Sequence, residues 1–191
     1  MTTTTIMVIR HAEKPDHQAA GVDANGRPDS KSLTPQGWQR AGALVQFMAP
    51  GSNGEPRSPL ARPKYLLAAY ADPATDDDSK RPQQTITPLA AHLGTAIPFD
   101  CSIGKDQLQK LVEKATGAGG TVLIAWEHKR IPEMARMLVA RGETVPDWPD
   151  DRFDMVWVLS RAGAEWSLTQ VPQMLLASDQ SDTFTSSNAM I

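Results

Sequence analysis

The most informative stretch of this 191-residue chain is Ile6-Met7-Val8-Ile9-Arg10-His11. Its first four residues are consecutive apolar side chains, mostly β-branched, a pattern typical of a buried strand. Pro15 and the polar residues that follow it end the strand region. Ligands of open α/β sheets bind at the carboxyl ends of the strands. A cation and an imidazole at such an end therefore predict chemistry on an anion, with phosphate as the first candidate.

Composition and charge restrict the class of protein. With 40% hydrophobic and 21% charged residues, the chain is long enough for one sizeable core and too short for two full domains. The net charge of −3, without a basic block, predicts neither a nucleic-acid nor a membrane partner. The single Cys101 excludes an internal disulfide. The N-terminal region has no basic segment and only a short apolar run, so we expect a cytoplasmic protein.

Strand and helix patterns alternate along the chain. Further strands are predicted at residues 65–70, 96–99 and 121–126, and helices from Pro35, from Pro82, at 106–115 and at 131–140. Two last strands, 153–159 and 166–170, are joined through residues 161–164 as a hairpin. The predicted fold class is α/β: a three-layer α/β/α sandwich whose sheet is mostly parallel, with an antiparallel edge hairpin. Residues 1–177 are expected to form this domain, and the polar residues 178–191 to form a disordered tail.

Two more junctions between a strand and a helix carry residues suited to anion chemistry. Arg81 precedes the helix that begins at Pro82, and His128 follows the strand at 121–126. Most arginines are solvated surface residues, so each residue alone is weak evidence. Because Arg10-His11, Arg81 and His128 occupy equivalent places in the topology, we expect them to meet at one edge of the sheet.

Four segments of the chain, each moderately specific, occur in one order. They are Val8-Ile9-Arg10-His11-Ala12-Glu13, Leu33-Thr34-Pro35-Gln36-Gly37, Arg81-Pro82-Gln83-Gln84-Thr85 and Val122-Leu123-Ile124-Ala125-Trp126-Glu127-His128. In these segments the chain resembles the histidine phosphatase superfamily, also called phosphoglycerate mutase-like. The resemblance covers residues 6–140, and the later residues fit the closing strands of that fold.

The resemblance implies a phosphatase that needs no metal or other cofactor. His11 would be the nucleophile and would form a phosphohistidine, which water then hydrolyses. Arg10, Arg81 and His128 would bind the phosphoryl oxygens together with His11, since charged donors stabilise a phosphoryl group in transfer. The implied substrate is a phosphorylated small molecule or a phosphoprotein, and the sequence leaves the oligomeric state open.

Two departures from the family pattern concern the residues around the histidines. Ala12 stands where the family usually has glycine, and its small side chain still lets the backbone approach a phosphate. No segment matches the usual proton donor, and Lys129 stands where the acid-phosphatase branch has an aspartate. The candidate donors are Glu127, Asp106 and Glu13, of which Glu127 is preferred because it adjoins His128.

Two other functions compete with this interpretation. A phosphoglycerate mutase needs an extended lid, and the segment between Arg81 and His128 is short for one. A phospho-ligand-binding regulatory module without turnover would explain the missing donor. Binding alone would tolerate the loss of His11, however, and both histidines and both arginines are present.

Overall fold

Six strands form one sheet in the computed structural model, which describes residues 4–51, 53–72, 74 and 78–185. The elements in chain order are β1 (Thr5–Arg10), α1 (Pro35–Met48), β2 (Tyr65–Ala69), α2 (Arg81–Leu93), β3 (Phe99–Ile103), α3 (Leu108–Gly117), β4 (Thr121–Trp126), α4 (Ile131–Arg136), β5 (Met155–Ala162) and β6 (Glu165–Pro172). The strand order is β3-β2-β4-β1-β5-β6. The first four are parallel to one another, and β5 and β6 form an antiparallel hairpin at the edge.

Helices cover both faces of the sheet because the central strands are apolar on both sides. Ile6 and Val8 of β1 belong to a core cluster with residues of α3 and α4. Met7 and Ile9, which point to the opposite face, belong to a cluster with residues of α1 and α2. The predicted three-layer α/β/α arrangement with an antiparallel edge hairpin is confirmed.

The register of the parallel strands places their carboxyl ends at one edge. Arg10 pairs with Trp126 across β1 and β4, and Ala68 of β2 pairs with Ala125. The residues that follow β1, β2 and β4 therefore emerge side by side. The antiparallel strand β5 begins at this same edge, because Val156 pairs with Ile9.

Helix α1 begins as its sequence predicts. The Thr34 side chain accepts a hydrogen bond from the Gly37 amide at 3.1 Å, and Pro35 occupies the first turn. Gly37 packs on the segment after β1, where an added Cβ would lie 2.7 Å from the carbonyl oxygen of Glu13. A side chain at this position would therefore push the first turn of α1 away from the residues that follow His11.

Several predicted elements have boundaries that differ from those observed, and two of them differ by four residues at one end. The third strand lies at Phe99–Ile103 instead of 96–99, because Pro98 has no amide hydrogen and β3 is a half-exposed edge strand that alternates apolar and polar residues. Helix α4 ends at Arg136 instead of residue 140. Its last turn tightens, since the Leu138 amide donates to the Ala135 carbonyl at 3.0 Å.

The predicted disordered tail is wrong for residues 178–185, which pack on the domain. Asp179 forms an ion pair with the buried Arg40 at 2.6 Å. Phe184 is buried against Trp148 and Trp157, with ring centroids 5.2 and 6.3 Å away. Polar composition misled the prediction, because one aromatic residue and one carboxylate anchor the segment. Residues 186–191 lie outside the described residues.

No helix among the described residues is long and apolar enough to cross a membrane.

We expect Phe184→Ala to lower the free energy of unfolding by about 3 kcal/mol, since it empties a buried aromatic site. Chemical denaturation followed by tryptophan fluorescence measures this change. Thr185→Ala, at the exposed neighbouring position, is the control and should unfold like the wild type. Equal stability of the Phe184→Ala variant and the wild type would contradict the packing of this segment.

Candidate active site

A cavity of 350 Å³ opens at the sheet edge where the parallel strands end. Its lining residues come from the ends of β1, β2 and β4, from the start of α2 and from the connecting loops: His11, Lys31, Ala69, Tyr70, Asp78, Ser79, Arg81, Pro82, Lys105 and Glu127. Three of the residues predicted from sequence, His11, Arg81 and Glu127, therefore line one cavity. Arg10 and His128 lie beside it.

Arg10 is buried and held by the segment 149–153, which precedes β5. Its NH1 lies within hydrogen-bond distance of three carbonyl oxygens, those of Pro149 (3.2 Å), Asp150 (2.7 Å) and Arg152 (3.1 Å). The guanidinium stacks on the Phe153 ring at 3.9 Å from its centroid. Burial lowers the pKa of Arg10 to about 10, and the nearby carboxylate of Asp150 opposes this effect. The contacts fix the orientation of a cation that stays charged at neutral pH.

His11 is held in one tautomer by its own backbone. Its Nδ1 lies 2.8 Å from the Ala12 carbonyl oxygen, which can only accept a hydrogen bond, so Nδ1 carries the proton. The other ring nitrogen, Nε2, therefore keeps its lone pair. Burial, followed by the charges of Arg10 and Arg81, lowers the pKa of His11 to about 3, so the ring is neutral at physiological pH. A neutral imidazole with an available lone pair can act as a nucleophile.

His128 is also buried, and it contacts a residue that the sequence did not suggest. Its Nε2 lies 2.5 Å from Oδ1 of Asp150, whose side chain is largely exposed. The hydrogen bond from His128 lowers the pKa of Asp150, whereas burial and then Arg10 lower the pKa of His128. The lowered pKa of Asp150 keeps its carboxyl group ionised, and the lowered pKa of His128 keeps its ring neutral. The neutral imidazole therefore donates its Nε2 hydrogen to a carboxylate.

Three consecutive side chains of α2 attach the helix, and with it Arg81, to the surrounding segments. Thr85 Oγ1 accepts from the Ala12 amide at 2.8 Å and donates to the Arg81 carbonyl at 2.7 Å. Gln84 accepts from the Leu33 amide at 2.9 Å, and Gln83 donates to the Ala69 carbonyl at 3.3 Å. The Arg81-Pro82-Gln83-Gln84-Thr85 segment thus ties α2 to the ends of β1 and β2. These contacts fix the distance between Arg81 and His11.

The three candidate proton donors lie in different places. Glu127 lines the His11 cavity and is partly exposed. Asp106 pairs with Arg130 at 2.7 Å. Glu13 pairs with the buried Arg40 at 2.7 Å and lines a second cavity of 410 Å³. The geometry therefore favours Glu127 as the group that can reach a substrate bound at His11.

The contacts of segment 149–153 with Arg10 and His128 were not predicted from the sequence. A topological signal was available, since an antiparallel neighbour of β1 must begin where β1 ends. The loop before β5 therefore reaches the same edge as His11 and His128. The run Trp148-Pro149-Asp150-Asp151-Arg152-Phe153 combines aromatic and charged residues in that loop. No histidine and no segment of the family pattern falls in this run, so local patterns indicate no functional role for it.

Buried polar atoms without a partner concentrate around the site. Among the described residues, six buried side-chain nitrogen or oxygen atoms have no hydrogen-bond partner: Arg10 Nε and NH2, Ser79 Oγ, Arg81 Nε, His128 Nδ1 and Trp157 Nε1. Five of these six belong to residues that line the His11 cavity or lie beside it. Buried polar groups are normally satisfied, and the unpaired donors of Arg10 and Arg81 are suited to a ligand that accepts hydrogen bonds.

The solved structures that share this architecture include two phosphatases. The protein histidine phosphatase SixA, solved with tungstate, superposes with a TM-score of 0.55 at 14% identity, covering 89% of this chain and 97% of that one. A candidate α-ribazole-5′-P phosphatase from Escherichia coli K-12 superposes with a TM-score of 0.56 at 9% identity, covering 88% and 96%. No protein-family profile and no curated protein sequence matches the chain. The chain shares the fold of these two proteins, as the resemblance of its four sequence segments implied.

The depressed pKa of His11 predicts a loss of stability in acid. Below pH 6.5 the unfolded chain binds a proton at His11, whereas the folded protein binds it only near pH 3, so the stability falls between these values. On going from pH 7 to pH 5, the wild type should lose on the order of 1–2 kcal/mol more than His11→Ala. Urea denaturation of both proteins at the two pH values measures the difference. An identical pH dependence would contradict a buried, neutral His11.

Proposed function

We propose that this chain is a phosphatase that hydrolyses a phosphomonoester or a phosphoprotein through a phosphohistidine at His11, without a metal ion. The unpartnered guanidinium donors beside His11, which are Nε and NH2 of Arg10 and Nε of Arg81, are the observation that carries the proposal. The guanidinium atoms of Arg10 and Arg81 supply fixed, charged donors, which is what stabilisation of a phosphoryl group in transfer requires. The superfamily fold supports the same reaction class.

In the first step, the lone pair on Nε2 of His11 attacks phosphorus, and the bond from phosphorus to the leaving oxygen breaks. Positive charge develops on the imidazole, and the Ala12 carbonyl stabilises it through the Nδ1 hydrogen bond. Glu127 acts as the general acid in this step and gives a proton to the leaving oxygen, so an alcohol or phenol departs. Arg10 and Arg81 hold the non-bridging oxygens throughout.

In the second step, water attacks the phosphohistidine. The Glu127 carboxylate takes a proton from this water, the N–P bond breaks, and inorganic phosphate leaves with the neutral imidazole restored. Glu127 thus alternates between acid and base in one cycle. Its place on the cavity wall supports both roles, because the leaving oxygen and the attacking water occupy the same side of phosphorus.

The His11→Ala variant should retain less than about one-thousandth of the wild-type kcat on an aryl phosphate, because it lacks the attacking atom. Release of inorganic phosphate in excess chelator measures this and tests the independence from metal. The exposed His17→Ala variant is the control and should turn over like the wild type. Wild-type turnover by His11→Ala would exclude the phosphohistidine route. Phosphate binding without turnover in the wild type would favour a regulatory module.

A comparison of leaving groups tests the donor. Glu127→Gln should slow hydrolysis of an alkyl phosphate by about a hundredfold and that of p-nitrophenyl phosphate by less, since a good leaving group needs no proton. Asp106→Asn, whose native carboxylate pairs with Arg130, should behave like the wild type with both substrates. An equal effect of Glu127→Gln on the two substrates would remove Glu127 from the donor role.

A further inference from the structure

Asp150 contacts both of the side chains that flank His11, although no motif points to it. Its carboxylate accepts from His128 Nε2 at 2.5 Å, and its backbone carbonyl accepts from Arg10 NH1 at 2.7 Å. The loop that carries it is itself fixed, because Trp148 Nε1 donates to the Arg152 carbonyl at 2.9 Å. One residue thus couples the positions of an imidazole and a guanidinium.

The contact with Asp150 determines which protons His128 can hold. A carboxylate accepts but does not donate, so Nε2 of His128 carries a hydrogen. In the neutral ring the other nitrogen, Nδ1, then has only a lone pair. This Nδ1 is buried and has no hydrogen-bond partner among the described residues. A phosphoryl oxygen can accept a hydrogen bond from Nδ1 only after the ring gains a second proton.

The charges around His128 explain why this second proton depends on a ligand. Burial opposes protonation of the ring, and the charge of Arg10, from β1, acts in the same direction. Glu127, whose Oε1 lies 3.5 Å from Nδ1, and Asp150 both favour it. His11 also lies close enough for the charges of the two rings to interact. The net effect is a lowered pKa for His128 without a ligand, and an added dianion beside the ring would raise it.

We propose that Asp150 positions His128 for anion binding, and that His128 takes up its second proton only when the phosphoryl group binds. The inference rests on the proposed function, because it assigns the phosphoryl site to the same cavity edge. In the bound state the imidazolium donates from Nε2 to Asp150 and from Nδ1 to a phosphoryl oxygen. Asp150 is a positioning residue in this account, since it acts on the substrate only through His128 and Arg10.

Nitrogen-15 NMR of the histidine rings tests the contact without any ligand. The chain has four histidines, and the His17→Ala and His92→Ala variants assign the two outside the site. In the wild type at neutral pH, we expect His128 as the Nε2-protonated tautomer. In Asp150→Asn the amide can also donate to Nε2, so the single tautomer should be lost. An unchanged His128 spectrum in Asp150→Asn would overturn the positioning role.

Calorimetry with inorganic phosphate tests the proton uptake. Titrations above the second pKa of phosphate, in two buffers with different ionisation enthalpies, should give about one proton taken up per phosphate by the wild type. The Nδ1 resonance should shift to that of an imidazolium on the same addition. Asp150→Asn should bind phosphate about tenfold more weakly and take up less than one proton. Asp151→Asn, which removes an equal charge at the exposed neighbouring residue, should match the wild type.

The outcomes separate this inference from the proposed function. Binding of phosphate without proton uptake, or an equal loss of affinity in Asp151→Asn and Asp150→Asn, would overturn the inference and leave the phosphatase proposal standing. No binding of phosphate by the wild type would contradict both the proposed function and the proton uptake. The tautomer measurement would then still decide whether Asp150 fixes His128.

Discussion

The site depends on Arg10, a buried guanidinium that has hydrogen-bond acceptors for only some of its donors. Arg10 is 1% exposed, and its NH1 is surrounded by backbone carbonyls, whereas its Nε and NH2 have no partner among the described residues. Burial of polar donors without acceptors costs free energy, which the apolar packing of the central strands offsets. The result is a cation whose donors need no reorganisation before they meet an anion.

The register of the parallel strands brings the residues of the site together. Because β1, β2 and β4 end level with one another, His11, Tyr70 and Glu127 emerge together without any long-range adjustment. Helix α2 is then attached by three successive polar side chains, two at the ends of β1 and β2 and one at the Leu33 amide before α1. A rigid sheet edge and a tied helix hold the reactive groups in place, as phosphoryl transfer demands.

Sequence patterns predicted those features of the structure that local interactions and chain topology determine. Strand β4 lies at the predicted residues because six consecutive apolar or β-compatible residues can be buried on both faces. The start of α1 follows from Thr34 and Pro35. His11, Arg81 and Glu127 converge because their topological positions are equivalent.

The remaining features depend on contacts distant in sequence. Asp150 lies 22 residues from His128 and 140 from Arg10, so no local pattern identifies it. Phe184 lies in a polar segment and is buried only because Trp148 and Trp157 present a surface for it. The predicted bounds of strand β3 were wrong because an edge strand needs no continuous apolar run.

The proposed mechanism requires a phosphohistidine at His11, and trapping this intermediate tests the mechanism most directly. The protein is mixed with an aryl phosphate, quenched in alkali to preserve the acid-labile N–P bond, digested and analysed by mass spectrometry. We expect a phosphoryl group on His11, within the peptide that contains Arg10-His11. A protein that turns over substrate yet carries the phosphoryl group on another residue, or on none, would contradict it.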